Sequence, residues 1–176
     1  MKIGVVGSDD RAVAIARLLL QSCHKVTLSD PTGRGAEKNA ELALDHWATA
    51  SNVHEQALDC QALILAVRWQ DVNKTLSQIG NHPRGIVIDA TRPPRSHDGR
   101  SGAEHIARVL HSPHVVKGFI DISDPNEPIE IAADDSQARM RVAEIIRQSG
   151  AQVADRGSLA NAVRIERGYI EKHTIP

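Results

Sequence analysis

The stretch Lys2-Ile3-Gly4-Val5-Val6-Gly7-Ser8-Asp9-Asp10-Arg11-Ala12 decides the fold, together with the helix and strand that carry it on to Asp30. Ile3, Val5 and Val6 are apolar and β-favouring, so Lys2 to Val6 reads as a buried strand. A turn follows at Gly7 to Ala12. A helix comes next, with Val13, Ala16, Leu19 and Leu20 on one side. A second strand, Val26 to Leu28, leads to Asp30. Strand, glycine turn, helix, strand and acid form the Rossmann fingerprint G-x-G-x-x-G/A, with its acid about 20 residues on. The three motif positions here are Gly7, Asp9 and Ala12. Gly7 serves the tight turn, and Ala12 still permits close helix–strand packing. Asp9 replaces the glycine that lets backbone approach a pyrophosphate, and its carboxylate adds bulk and repels phosphate. Asp9 and Asp10 equally suit the N-terminus of the helix, where a carboxylate satisfies free N–H groups and meets the dipole favourably.

Working outward, the remaining chain alternates the two kinds of element. Residues 36–45 read as a helix, Thr49 to Ser51 as a short edge strand and Val53 to Asp59 as a helix. Ala62 to Val67 is a continuous apolar run, the pattern of a parallel strand buried on both faces. Helices are predicted at Gln70–Ile79, Ser101–Leu110 and Ser158–Ile170, and strands at Gly85–Asp89, His114–Phe119, Ile129–Ala132 and Gln152–Ala154. Asp134 is expected to cap a further helix, with Gln137 in the capping-box position and Ala138, Val142, Ile145 and Ile146 buried. The whole is a single α/β domain over residues 1–176, a doubly wound parallel sheet in three α/β/α layers. Residues 158–176 form a final helix and tail, expected to contact a second subunit in a homodimer. Ligands of such sheets bind beyond the carboxyl ends of the strands. The loops at 7–12, 30–35, 67–70, 90–100 and 119–127 therefore border one cleft.

Bulk properties narrow the function. The 176 residues carry a net charge of −1, so no global basic field draws nucleic acid or a membrane surface. Aromatics are limited to Trp47, Trp69, Phe119 and Tyr169, so the core is aliphatic. Cys23 and Cys60 have no metal or redox spacing, and no apolar run approaches the roughly 20 residues of a membrane span. The first strand begins at Lys2, which leaves no signal peptide, and a cytoplasmic location is expected. Nine histidines show no ligand motif such as H-E-x-x-H, so no metal is expected.

The segments Val5-Val6-Gly7, Leu65-Ala66-Val67-Arg68-Trp69, Ile88-Asp89-Ala90-Thr91-Arg92-Pro93, Ser101-Gly102-Ala103-Glu104, Val115-Val116-Lys117-Gly118-Phe119 and Gly157-Ser158-Leu159-Ala160-Asn161-Ala162 occur in order. In this they resemble the deazaflavin-dependent NADP oxidoreductase family over nearly the whole chain. The resemblance implies a Rossmann domain that binds NADP(H) and passes hydride between nicotinamide and a deazaflavin-like partner. It implies pyrophosphate over Gly7, Ser8, Asp9, Asp10, Arg11 and Ala12, adenosine ribose near Asp30, and nicotinamide near Val67, Arg68 and Thr91, with Ala66 and Arg92 also among the cofactor-binding residues. The family favours arginine after the second strand to clamp the 2′-phosphate of NADP, where this chain has Asp30 and Pro31. Asp30 suits the free 2′-OH of NAD, while Thr32 and Arg34 follow in the same loop and suit a phosphate. The family's proline after the fourth strand is Arg68 here, and an asparagine of its Thr-Asn-Pro turn is Arg92. Longer members continue with helices that wall the deazaflavin site.

The loop Thr91 to Arg100 holds Arg92, Arg95, Arg100 and His97. Arginine forks suit carboxylate and phosphate, so a lid over an anionic ligand is one reading and a solvated basic loop another. Arg95, Phe119 and Asp121, with Ser123, are candidates for substrate contact, and turn formation is the competing role of the polar ones. Three functions stand: a nicotinamide-dependent oxidoreductase, a non-catalytic Rossmann sensor with a degenerate site, and a binder of another anion through Arg92, Arg95 and Arg100.

Overall fold

The computed structural model describes residues 1–22, 24–31, 48–94 and 99–174. Strands β1 (Lys2–Val6), β2 (Lys25–Ser29), β3 (Ala48–Ala50), β4 (Ala62–Leu65), β5 (Ile86–Asp89) and β6 (Val115–Lys117) form one sheet in the order β3-β2-β1-β4-β5-β6. Every pairing within it is parallel. The strand order reverses beside β1, which opens a crevice at the carboxyl ends of β1 and β4. β7 (Ile129–Ile131) and β8 (Val153–Asp155) make a separate parallel pair, joined to β6 by an antiparallel bridge between Lys117 and Ala132.

Alternation along the strands builds a core on each face of the sheet. Ile3, Val5, Ala62, Ile64, Ile88 and Val116 pack against helices α1 (Asp10–Leu20) and α5 (Ser136–Gln148). Val6, Leu63, Leu65, Val87 and Val115 point the other way, onto α2 (Val53–Asp59), α3 (Val72–Ile79), α4 (Gly102–Leu110) and α6 (Ala162–His173). This is the expected doubly wound arrangement.

Several details differ from the sequence reading. The apolar run 62–67 leaves the strand after Leu65, although Ala66 and Val67 stay buried. The cap of α5 is Asp135, whose carboxylate accepts from the N–H groups of Gln137 and Ala138, at 2.8 and 3.2 Å. Asp134 instead accepts from Leu159 N–H at 2.9 Å, tying the start of α5 to the turn before α6. Short turns at Trp69–Asp71 and Leu159–Asn161 precede α3 and α6, where continuous helix was expected. The helix expected at 36–45 lies outside the described residues.

Candidate functional site

The turn after β1 is the tightest part of the site. Gly7 N–H donates to Ser29 O at 2.8 Å. A Cβ on Gly7 would lie 2.4 Å from Ala66 O and 2.9 Å from Ala12 Cβ, so only glycine fits. Asp9 is the N-cap of α1, with extended backbone, and its carboxylate accepts from Ala12 N–H at 2.9 Å. One of the helix donors that would face a bound anion is thus taken by the protein itself.

Ser8, Asp9, Asp30, Pro31, Ala66, Val67, Arg68, Asp71 and Lys74 line a cavity of about 360 Å³ at these strand ends. Asp30 is buried at the end of β2. Gln78 Nε2 donates to Pro31 O at 3.0 Å, which holds α3 against that end. Lys74, one turn earlier on α3, brings a cation to the cavity wall. Arg68 bonds Asp71 at 2.9 Å and is largely exposed. Its charge is shared with that carboxylate. Lys74 escaped the sequence reading because only the packing of α3 on Pro31 carries it to the cavity beside Asp30. Thr32 and Arg34 lie outside the described residues.

Arg11 turns inward. Its Nη1 donates to Ala90 O at 2.7 Å and Nη2 to Val67 O at 3.3 Å, so one guanidinium spans the ends of β4 and β5. Its side chain is 9% exposed, and Asp9 Oδ2 lies 3.9 Å away. Burial lowers the Arg11 pKa, and repulsion from Arg92 lowers it further. Arg92 Nε donates to Ile120 O at 3.1 Å, and its guanidinium stacks 4.3 Å over the Tyr169 ring.

Beneath this floor lies a charged cluster that the sequence reading did not single out. Lys117 is completely buried, and its Nζ donates to Asp89 Oδ2 at 2.9 Å and Thr91 O at 2.8 Å. It also pairs with Glu166 Oε1 at 3.1 Å. Asp89 Oδ1 accepts from Thr91 N–H and hydroxyl at 2.8 and 2.6 Å. Glu166 accepts from Gly102 N–H at 3.0 Å, linking α6 to the start of α4. Burial pushes the Glu166 pKa up, against the pull of Lys117. Thr91 is fully buried and clamped, so it shapes the floor and presents no side chain to a ligand. The signal was a lysine closing the apolar strand Val115-Val116-Lys117.

The expected substrate residues separate. Phe119 is 0% exposed with φ +56° and belongs to the core, so it does not line the cleft. Asp121 accepts from Ser123 N–H and hydroxyl and from Lys172. Although burial alone would raise it, these bonds hold its pKa at about 2. It borders a second cavity, of about 310 Å³, with Tyr169 and Lys172. Arg95 lies outside the described residues, and Arg100 is exposed. Burial raises the Cys60 thiol to about 11, with Asp59 adding to the effect, so it is no ready nucleophile. Among the described residues no helix is long and apolar enough to cross a membrane, and no three His, Cys, Asp or Glu side chains converge as metal ligands.

Residues 2–93, more than half of the 176-residue chain, match the family "NADP oxidoreductase coenzyme F420-dependent". The chain belongs to this family. The chain is also similar to other proteins, two of them solved structures. Metalloreductase STEAP3 of Rattus norvegicus is 27% identical over 94% of the chain, which spans only 36% of that longer protein. Protein SMa0349 of Sinorhizobium meliloti superposes with a TM-score of 0.80 at 20% identity, covering 91% of this chain and 86% of its own. An Arthrobacter protein described as an F420-dependent NADP-reductase gives 0.78 at 20% identity, covering 95% and 89%. The family is one of nicotinamide-dependent oxidoreductases, and these structures share the Rossmann fold.

Proposed function

We propose that this chain binds a nicotinamide dinucleotide in the 360 Å³ cavity and transfers hydride to a deazaflavin-like or other small acceptor. The carrying observation is the convergence of the Gly7 turn, the α1 N-terminus, buried Asp30 and Ala66–Val67 on that cavity. When bound, the dinucleotide supplies a hydride from its reduced ring. The protein's part is positioning. Gly7 keeps the turn flush against Ala66, so backbone N–H groups at the start of α1 face the pyrophosphate. Asp30 accepts from ribose hydroxyls, and Lys74 and Arg68 supply positive charge to phosphate. Arg11, Ala90 and the clamped Thr91 form a stiff floor at the reacting end. A deazaflavin acceptor needs no protein acid or base, and none of the described residues is asked to serve as one. Asp9 opposes phosphate at the N-terminus of α1, and binding requires its carboxylate to leave Ala12 N–H. That same contact favours a second reading, a Rossmann sensor whose own carboxylate occupies the anion position.

The assay is the loss of reduced-nicotinamide absorbance on mixing protein, NADPH or NADH, and an oxidised deazaflavin or flavin. Turnover with either nucleotide supports the oxidoreductase. Tight dinucleotide binding without turnover on any acceptor supports the sensor.

A further inference from the structure

Two guanidiniums lie at the ends of β4 and β5, near enough that Arg92 lowers the Arg11 pKa, and both hydrogen-bond backbone carbonyls. Arg11 holds the carbonyls of Ala90 and Val67. Arg92, two residues beyond Ala90, holds the Ile120 carbonyl and lies on Tyr169. A guanidinium carries five N–H donors, and Arg11 commits two of them to protein acceptors at hydrogen-bond distance. Its Nε is buried with no partner among the described residues. The carboxylates nearby are otherwise engaged. Asp9 caps α1 and offers Arg11 only a long ion pair, Oδ2 to Nη2 at 3.9 Å, without a hydrogen bond. Asp89 is bound by Thr91 and Lys117, and Glu166 by Gly102 and Lys117. Asp121 is held by Ser123 and Lys172. Among the described residues, no carboxylate forms an ion pair with Arg92.

Folding alone gives little reason to place exposed Arg92 where it repels the buried Arg11 guanidinium. An anion between them gives a strong one, because arginine forks grip carboxylate and phosphate oxygens from fixed planes. Stacking on Tyr169 sets one plane, and the two strand-end carbonyls set the other. We infer that Arg11 and Arg92 form an anion subsite at the ends of β4 and β5, which selects a substrate bearing a carboxylate or phosphate. The inference rests on the hydride-transfer reading for its place beside the nicotinamide end; anion capture itself stands apart from it. It also shifts the anion contact from the 95–100 part of the loop to a pair joining α1 and the residue after Thr91.

The test is calorimetric titration of the full chain with malonate and, separately, inorganic phosphate, each with and without NADH. Binding is expected with at least one probe, and the tighter one identifies the oxygen-bearing group. Arg92→Gln and Arg11→Met are each expected to weaken it by about tenfold or more, the loss of one charge-assisted contact. Arg92→Gln leaves the strand-end tethers in place, so it remains informative if Arg11→Met misfolds. No binding of either probe at millimolar concentration, or binding indifferent to Arg92→Gln, overturns the inference. Anion binding without any dinucleotide binding keeps the subsite and removes the proposed function. Dinucleotide binding without anion binding does the reverse.

Discussion

Replacing Lys117 by methionine tests whether the buried cluster holds the floor of the site. The substitution keeps most of the side-chain volume and removes one charge. It deletes the contacts to Asp89, Thr91 and Glu166, at 2.9, 2.8 and 3.1 Å. Asp89 and Glu166 then stay buried, at 0% and 5% exposure, without their cation. Removing one partner of a buried ion pair costs about 3–5 kcal/mol. For a chain of this size each kcal/mol moves Tm by roughly 2–4 °C, so a fall of about 6–20 °C is expected. The deficit depends on pH. Burial already raises the Glu166 pKa above its ordinary 4.5, and loss of Lys117 raises it further. An acid with a raised folded pKa stabilises below its unfolded value and loses that contribution as pH rises through the folded one. The variant's deficit therefore shrinks near pH 4.5 and grows toward neutrality. Urea unfolding of both proteins across this range is the assay, with Lys117→Met/Asp89→Asn/Glu166→Gln as control. The triple variant removes all three charges and should recover most of the loss. A deficit below about 1 kcal/mol, or a triple variant no better than the single, refutes the reasoning.

Asp9→Gly removes the carboxylate from the anion position, at a cost of only a few tenths of a kcal/mol to the α1 cap. Two charges about 4 Å apart in water repel by about 1 kcal/mol, so dinucleotide affinity measured by calorimetry should rise about fivefold. Gly7→Ala drives a Cβ to 2.4 Å from Ala66 O and is expected to cost about 1–3 kcal/mol in urea unfolding and abolish dinucleotide binding. Asp121 has a folded pKa of about 2 against 3.8, so its stabilising contribution is full above 3.8 and vanishes as pH falls through about 2. Asp121→Asn should flatten the acid limb of Tm against pH; an unchanged limb would place acid sensitivity elsewhere.

The sheet was legible because its signals are local. Ile3, Val5 and Val6, the apolar run 62–67 and the glycine turn each act within a few residues, and the two-faced burial of parallel strands leaves a continuous hydrophobic pattern. The capping role of Asp9 was readable for the same reason, since it spans three residues. What escaped depends on distant chain segments. Lys117 meets Glu166 across 49 positions, and Arg11 reaches Ala90 across 79. Neither pairing leaves a trace in spacing, although a lysine ending an apolar strand marks a buried charge in need of partners. The Asp134–Asp135 exchange was a competition between two equivalent capping side chains, decided when Leu159 N–H claimed Asp134. Phe119 looked like a cleft residue because it follows β6, but its left-handed backbone turns the ring into the core.

The central claim is that the cavity beside Gly7 and Asp30 holds a nicotinamide dinucleotide. Calorimetric titration of the purified chain with NADPH and with NADH tests it most directly. The account predicts micromolar binding of at least one, with NADH preferred if Asp30 governs the ribose and NADPH preferred if Lys74 does. No heat and no thermal stabilisation with either at millimolar nucleotide would contradict it.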